Sequence, residues 1–278
     1  MTPDGNKGYI ANFGPVGLTP EPPAQSVTVL NTRTGETIGE IGVGKQPTAV
    51  TLSHNGDAVY VVNSGTISDP GSVSVISSRT DEVVHTISGL SNPAGIAISP
   101  DDRVAYVTNQ AEGTVSVIDT RTAEVLDSVT LPQEGLYPTN ITVSPDGANV
   151  FVAGNLTGNI VVLNGHDIKE KAQTVKLPGY GMPQGLALTP DGKQLYVTEA
   201  ASNEVAVVDV RTMEADAKTI EVGRNPSSVA FSVDGRFAYV TSSLDDPRGL
   251  SIIDTQNQKV IRSLNTGSGP FAVAVVSH

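Results

Sequence analysis

Large apolar and small residues alternate strictly in short runs that recur along the chain: Ala49-Val-Thr-Leu-Ser53, Gly95-Ile-Ala-Ile-Ser99, Asn140-Ile-Thr-Val-Ser144, Gly185-Leu-Ala-Leu-Thr189, Ser228-Val-Ala-Phe-Ser232 and Ala272-Val-Ala-Val-Val276. A period of two is the signature of a strand with one face packed and the other held small. A second run follows each: Val59-Tyr-Val-Val-Asn63, Ala105-Tyr-Val-Thr-Asn109, Val150-Phe-Val-Ala-Gly154, Leu195-Tyr-Val-Thr-Glu199 and Ala238-Tyr-Val-Thr-Ser242, with an early copy at Gly8-Tyr-Ile-Ala-Asn12. A third strand such as Thr114–Ile118 and a charged outer strand such as Glu82–Ile87 complete the unit. Charges on that outer strand blunt an exposed sheet edge.

Turn chemistry punctuates the pattern. Ser144-Pro-Asp-Gly147 and Thr189-Pro-Asp-Gly192 join the first strand to the second; proline presets φ, and Asp-Gly supplies a side-chain hydrogen bond and a left-handed position. Asp119-Thr-Arg-Thr122 closes the third strand. A proline precedes each first strand, at 47, 93, 138, 183, 226 and 270, with successive gaps of 46, 45, 45, 43 and 44 residues. A strand-only period near 45 residues predicts the four-stranded blade of a β-propeller. The expectation is all-β: one domain over residues 1–278, a six-bladed β-propeller of four-stranded blades. The chain starts after a first strand and ends with one, so the C-terminal strand is expected to pair into the N-terminal blade and close the array. A truncated seven-bladed array is the alternative.

The Ser-Pro-Asp-Gly turn, Tyr106-Val-Thr-Asn109 and Val115-Ser-Val-Ile-Asp-Thr120 together resemble the YVTN-type β-propeller repeat family over essentially the whole chain. The resemblance implies the fold and leaves the activity open. Related propellers include archaeal surface-layer modules, subunits of quinoprotein and haem enzymes, lactonases and streptogramin-type lyases. Many family members carry seven blades, so six is a departure.

Composition removes several classes of function. There are 29 acidic residues against 17 Lys plus Arg, a formal charge of −12, and no basic stripe, which argues against nucleic acid as a partner. Cysteine and tryptophan are absent, which excludes thiolate sites, disulfides and tryptophan-derived quinones. His54, His85 and His166 fall on turns or an outer strand and His278 at the terminus, so a Ser-His-Asp triad or histidine metal site lacks a member. No apolar run reaches bilayer length, so membrane insertion is not expected. A cytoplasmic location is favoured for the chain as given, and a secreted one if a leader was removed.

Sequence variation is concentrated in the loops after the second strands and before the prolines, including the Pro-rich insertion from Gly14 to Gln25. Such loops on a rigid scaffold are where binding residues collect. The residues after the prolines (Thr48, Thr139, Gln184 and Phe271 among them) are expected to line the mouth of a central channel, with Phe13, Lys45, Tyr137, Tyr180, Met182 and Arg224 above them. Asn63, Asn109 and Glu199 end equivalent strands. They are read either as strand caps bonding the turn backbone or, if calcium is present, as its oxygen ligands; no other cofactor is expected. Glu199 alone is charged there. Two functions remain open: a scaffold binding a small molecule, peptide or protein, and a cofactor-independent enzyme acting on an uncharged small molecule as a lactone hydrolase, lyase or ring-forming isomerase. In the second, Glu199 is the base, Tyr137 or Tyr180 the acid, and Lys45 or Arg224 the stabiliser of an oxyanion.

Overall fold

The computed structural model describes residues 1–13, 25–66, 69–132, 136–179, 181–244, 247–267 and 269–275. These contain β-strands and no helix. The first sheet is β1 (Lys7–Asn12), β2 (Ser26–Asn31) and β3 (Thr37–Gly42); the second is β4 (Pro47–Leu52), β5 (Ala58–Asn63), β6 (Gly71–Ser77) and β7 (Glu82–Leu90). The third is β8 (Pro93–Ile98), β9 (Val104–Asn109), β10 (Thr114–Asp119) and β11 (Glu124–Thr130). The fourth is β12 (Pro138–Val143), β13 (Asn149–Gly154), β14 (Asn159–Asn164) and β15 (Gln173–Lys176). The fifth holds β16 (Pro183–Leu188), β17 (Gln194–Glu199) and β18 (Glu204–Asp209), and its outer edge is split into β19 (Glu214–Ala215) and β20 (Ile220–Glu221), both paired with β18. The sixth is β21 (Pro226–Phe231), β22 (Phe237–Ser242), β23 (Leu250–Asp254) and β24 (Lys259–Leu264). Six antiparallel sheets built on a four-strand plan are the blades of a six-bladed β-propeller.

The described residues fall into two compact units divided between Thr130 and Leu131, with three sheets in each. In the first unit β1 lies against β4 and β4 against β8; in the second β12 lies against β16 and β16 against β21. The core is the apolar filling between consecutive sheets. Val62, Val73, Ile96, Val107 and Ile118 form one such layer, and Phe151, Ile160, Leu195, Val197 and Val208 another. Close approach of neighbouring first strands explains the small residues there: a Cβ on Gly185 would stand 2.8 Å from the Ser227 carbonyl oxygen on β21.

Each first strand begins at its proline, and the ladder slips between that proline and the next paired residue. The threonine of the Tyr-Val-Thr motif occupies the slip. Thr108 Oγ1 accepts the Gly95 N–H at 2.9 Å, and Thr198 Oγ1 accepts that of Gly185 at 2.7 Å. The turns behave as their sequences predict. Asp101 accepts hydrogen bonds from the Ser99 hydroxyl and the Arg103 N–H, while Asp119 and Asp209 each accept two backbone N–H groups of their own turn.

One expectation is not met among the described residues. The first sheet has three strands, and residues 271–275 carry no strand although their alternation matches that of β21. Phe271 is 67% exposed, and its carbonyl oxygen accepts hydrogen bonds from Ser227 Oγ (2.7 Å) and Thr241 Oγ1 (3.3 Å). The run is therefore held by hydroxyls of its neighbour sheet, in the place a first strand would start, without a ladder of its own.

Candidate functional site

The end of the second strand is where the repeats diverge in chemistry. In three repeats an asparagine stands there, and its amide donates to two hydroxyls on the next strand. Asn12 Nδ2 reaches Ser26 Oγ (3.0 Å) and Thr28 Oγ1 (2.9 Å). Asn63 Nδ2 reaches Ser72 Oγ (3.1 Å) and Ser74 Oγ (3.0 Å), and Asn109 Nδ2 reaches Thr114 Oγ1 (3.0 Å) and Ser116 Oγ (2.8 Å). This corrects the expectation that these asparagines cap the strand through turn backbone. Antiparallel register explains the pattern: one hydroxyl is directly opposite the asparagine and the other two residues on, hence on the same face. Asn63 Oδ1 and Asn109 Oδ1 are buried acceptors with no donor.

The fifth sheet breaks the module. Glu199 holds the asparagine position, directly opposite Glu204, and Ala206 stands where the second hydroxyl would be. Glu199 is 0% exposed, and neither carboxylate oxygen has a hydrogen-bond partner. Gly179 covers it so closely that a Cβ there would fall 2.5 Å from Glu199 Oε2. Burial pushes the Glu199 carboxyl up to about 7, and the Glu204 charge adds to the rise. The Gly179 main-chain amide, near the carboxylate but outside hydrogen-bond geometry, tempers it. A carboxyl half-ionised near neutral pH, fixed by a strand end, has the acidity of a general base.

Other expected site residues are in structural employment. Lys45 is ion-paired with Asp69. Thr48 Oγ1 donates to the Val62 and Ala94 carbonyls, and Thr139 Oγ1 to that of Pro183, tying neighbouring first strands together. Gln184 is half-buried on β16, Arg224 is exposed, and Phe13, just after β1, is 42% exposed. Tyr180 and the insertion at 14–24 lie outside the described residues.

Tyr137 and Met182 come together, joined by a residue not expected at a site. Asn155, after β13, donates its N–H to the Tyr137 carbonyl at 3.3 Å and accepts the Met182 N–H at 3.1 Å, while the Leu156 N–H reaches the Leu136 carbonyl at 3.4 Å. Tyr137, Leu156 and Met182 are 39%, 66% and 42% exposed, and Tyr137 and Met182 both have positive φ. Three large, partly exposed side chains thus stand on three loop segments of the second unit, two of them bonded to the segment of Asn155 and Leu156. Leu156 sits inside Asn155-Leu-Thr157, which matches a glycosylation pattern; burial of Asn155 and its own bond to the Pro183 carbonyl exclude that role. The other repeats hold Gly14, Gly65, Ala111, Ala201 and Leu244 at the equivalent position, so no departure in the sequence singles out Leu156.

A cavity of about 250 Å³ lies on the turn side of the sixth sheet, lined by Asp234, Arg236, Phe237, Asp254 and Gln256. Among the described residues no three acidic or histidine side chains form a ready-made metal cluster.

Comparison with known proteins places these observations in a family. The chain is similar in structure to Kuenenia stuttgartiensis hydrazine synthase, at 22% sequence identity and TM-score 0.81, over 98% of this chain and 87% of that one. It is also similar to a functionally unknown protein from Desulfotomaculum acetoxidans, at 15% identity and TM-score 0.72, over 98% and 99%. At such identities the likeness establishes the fold alone. No curated protein matches at a significant level. The sequence profile described as "Lactonase, 7-bladed beta-propeller" matches residues 22–135 and 76–177, together more than half of the 278 residues. Six sheets stand among the described residues against the seven blades of that description, and the chain belongs to this lactonase-type β-propeller family.

Proposed function

We propose that the protein is a binding propeller that holds a peptide or protein partner on the variable loops of its second unit. The observation that carries this reading is the exposed trio Tyr137, Leu156 and Met182. Aromatic and methionine side chains are enriched where proteins meet, and rigidly held ones lose little entropy on binding. The trio rests on backbone hydrogen-bonded through Asn155 and Leu156 and lies apart from the described cavity, which suits a surface partner better than an enclosed small molecule. The test is affinity capture from the source organism with the wild-type chain and a Tyr137→Ser/Leu156→Ser/Met182→Ser variant. The reading expects a partner retained by the former and lost by the latter; identical retention by both overturns it.

Family membership and the raised basicity of the Glu199 carboxylate favour one second reading, lactone hydrolysis. Glu199 would take a proton from water as the water oxygen adds to the lactone carbonyl; the ring C–O bond then breaks as the adduct collapses, and the leaving alkoxide takes that proton from Glu199. Glu199 is sealed beneath Gly179, so this reading requires Gly179 to move off it. A panel of γ- and δ-lactones followed by pH-stat decides it. Turnover that Glu199→Gln abolishes supports it, and no turnover on any member overturns it.

A further inference from the structure

Across the fifth sheet, Glu199, Glu204 and Glu221 stand opposite one another on β17, β18 and β20. Register partners in an antiparallel sheet share a face, so all three side chains project to the same side. The equivalent rows of the first four sheets are Asn12–Ser26–Gly42, Asn63–Ser72–Ser88, Asn109–Thr114–Thr130 and Gly154–Asn159–Lys176. Those twelve positions contain no carboxylate. Like charges directly opposite on neighbouring strands are destabilising, and a buried carboxylate without a donor is more so. The fifth sheet has both defects at one spot.

Only the outer end of the row is compensated. Arg248 Nη1 donates to Glu221 Oε1 at 3.1 Å. The inner pair has no such partner for its buried member: both Glu199 oxygens are without a donor, and Glu204 is the charge that acts on them. In the asparagine repeats this place is filled by an amide donating to two hydroxyls; here a carboxylate replaces the donating amide and a second carboxylate replaces the hydroxyl opposite it.

We infer that Glu199 and Glu204 form a binding site for a hard divalent cation of the calcium class. Carboxylate oxygens with neither imidazole nor thiolate nearby select calcium or magnesium over zinc, and calcium tolerates an irregular shell completed by main-chain carbonyls and water. The cation takes the role that the asparagine amide plays elsewhere, joining the end of the second strand to the third. Of the expected ligand set the row takes Glu199 alone: the Asn63 and Asn109 amide nitrogens are bonded to hydroxyls of their own sheets, and the register partner of Glu199 is Glu204. The inference stands independently of both functional readings.

The test is calcium titration calorimetry on the full chain, stripped with chelator and held near neutral pH in moderate salt, with the melting temperature measured in parallel. Expected are uptake of one calcium per chain, a higher melting temperature, and affinity weakened about tenfold or more in Glu199→Gln and Glu204→Gln. Glu124→Gln, on an exposed outer strand of the first unit, should bind as wild type. Should Glu199→Gln fail to fold, the half-buried Glu204 carries the test alone. No calcium uptake by the wild-type chain, or uptake unchanged in Glu204→Gln, overturns the inference.

Discussion

Glu199 stands directly opposite Glu204 across the β17–β18 pair, fully buried and without a donor to either carboxylate oxygen. Its environment favours the neutral acid, so proton binding is coupled to folding. The carboxyl is raised from 4.5 to about 7 in the folded chain. Between those values the native state binds more protons than the unfolded one, so stability falls as pH rises. The loss begins near the unfolded value, is complete above the folded one, and amounts to about 3 kcal/mol. Urea unfolding of the calcium-free chain between pH 5 and 8 should show this decline, and Glu199→Gln should flatten it. A wild-type profile already flat over that range contradicts the burial argument.

Gly179→Ala places a methyl group 2.5 Å from Glu199 Oε2. Either the backbone at residue 179 shifts or the carboxyl turns, at a cost of about 1–3 kcal/mol. In a Glu199→Ser background the obstructing atoms are gone, and the same substitution should become nearly neutral. A double-mutant cycle in denaturant reads the coupling; additivity of the two changes shows that the contact is not what limits this position.

The asparagine module predicts a cost and a gain. Asn109→Ala removes two buried donors from Thr114 and Ser116 and should destabilise the chain by about 1–3 kcal/mol. Conversely, Glu199→Asn/Glu204→Ser/Ala206→Ser writes the module into the fifth sheet. It should stabilise the calcium-free chain at neutral pH by a similar amount and abolish any response to calcium. Thermal unfolding with and without chelator measures both, and a triple variant less stable than wild type refutes the equivalence of the repeats.

Much of this was legible because strand and turn chemistry repeat with the period. The Pro-Asp-Gly turns, the Asp-Thr-Arg-Thr turns and the alternating first strands carry their geometry in adjacent residues. The partners of Asn63 and Asn109 lie across a strand pair, and reading them requires register. The clue was present nonetheless: Ser26/Thr28, Ser72/Ser74 and Thr114/Ser116 accompany asparagine, and the repeats with Gly154 and Glu199 lack such pairs. Residues 271–275 show the limit of periodicity, since their pattern predicts a strand and only Phe271 is tied to its neighbour sheet, through its carbonyl. Leu156 was illegible because nothing about a lone apolar loop residue says that Tyr137 and Met182 lie beside it.

The turn side offers a comparison of two glycines with matched backbone. Gly35 and Gly56 have φ of +74° and +77°, so alanine is strained by about 1 kcal/mol at either. Around Gly35 nothing lies within 4 Å of an added Cβ, whereas at Gly56 it would stand 2.5 Å from Pro3 Cδ. The proline of one Pro-Asp-Gly turn packs on the glycine of the next, as Pro145 does on Gly192 and Pro190 on Gly235. Gly35→Ala should therefore show conformational strain alone, and Gly56→Ala that strain plus a steric term of about 1–2 kcal/mol. Pro3→Ala should remove most of the difference. Equal destabilisation by the two alanines in urea unfolding would mean that the turns of consecutive sheets separate freely, and that stacking of proline on glycine contributes nothing to the register between blades.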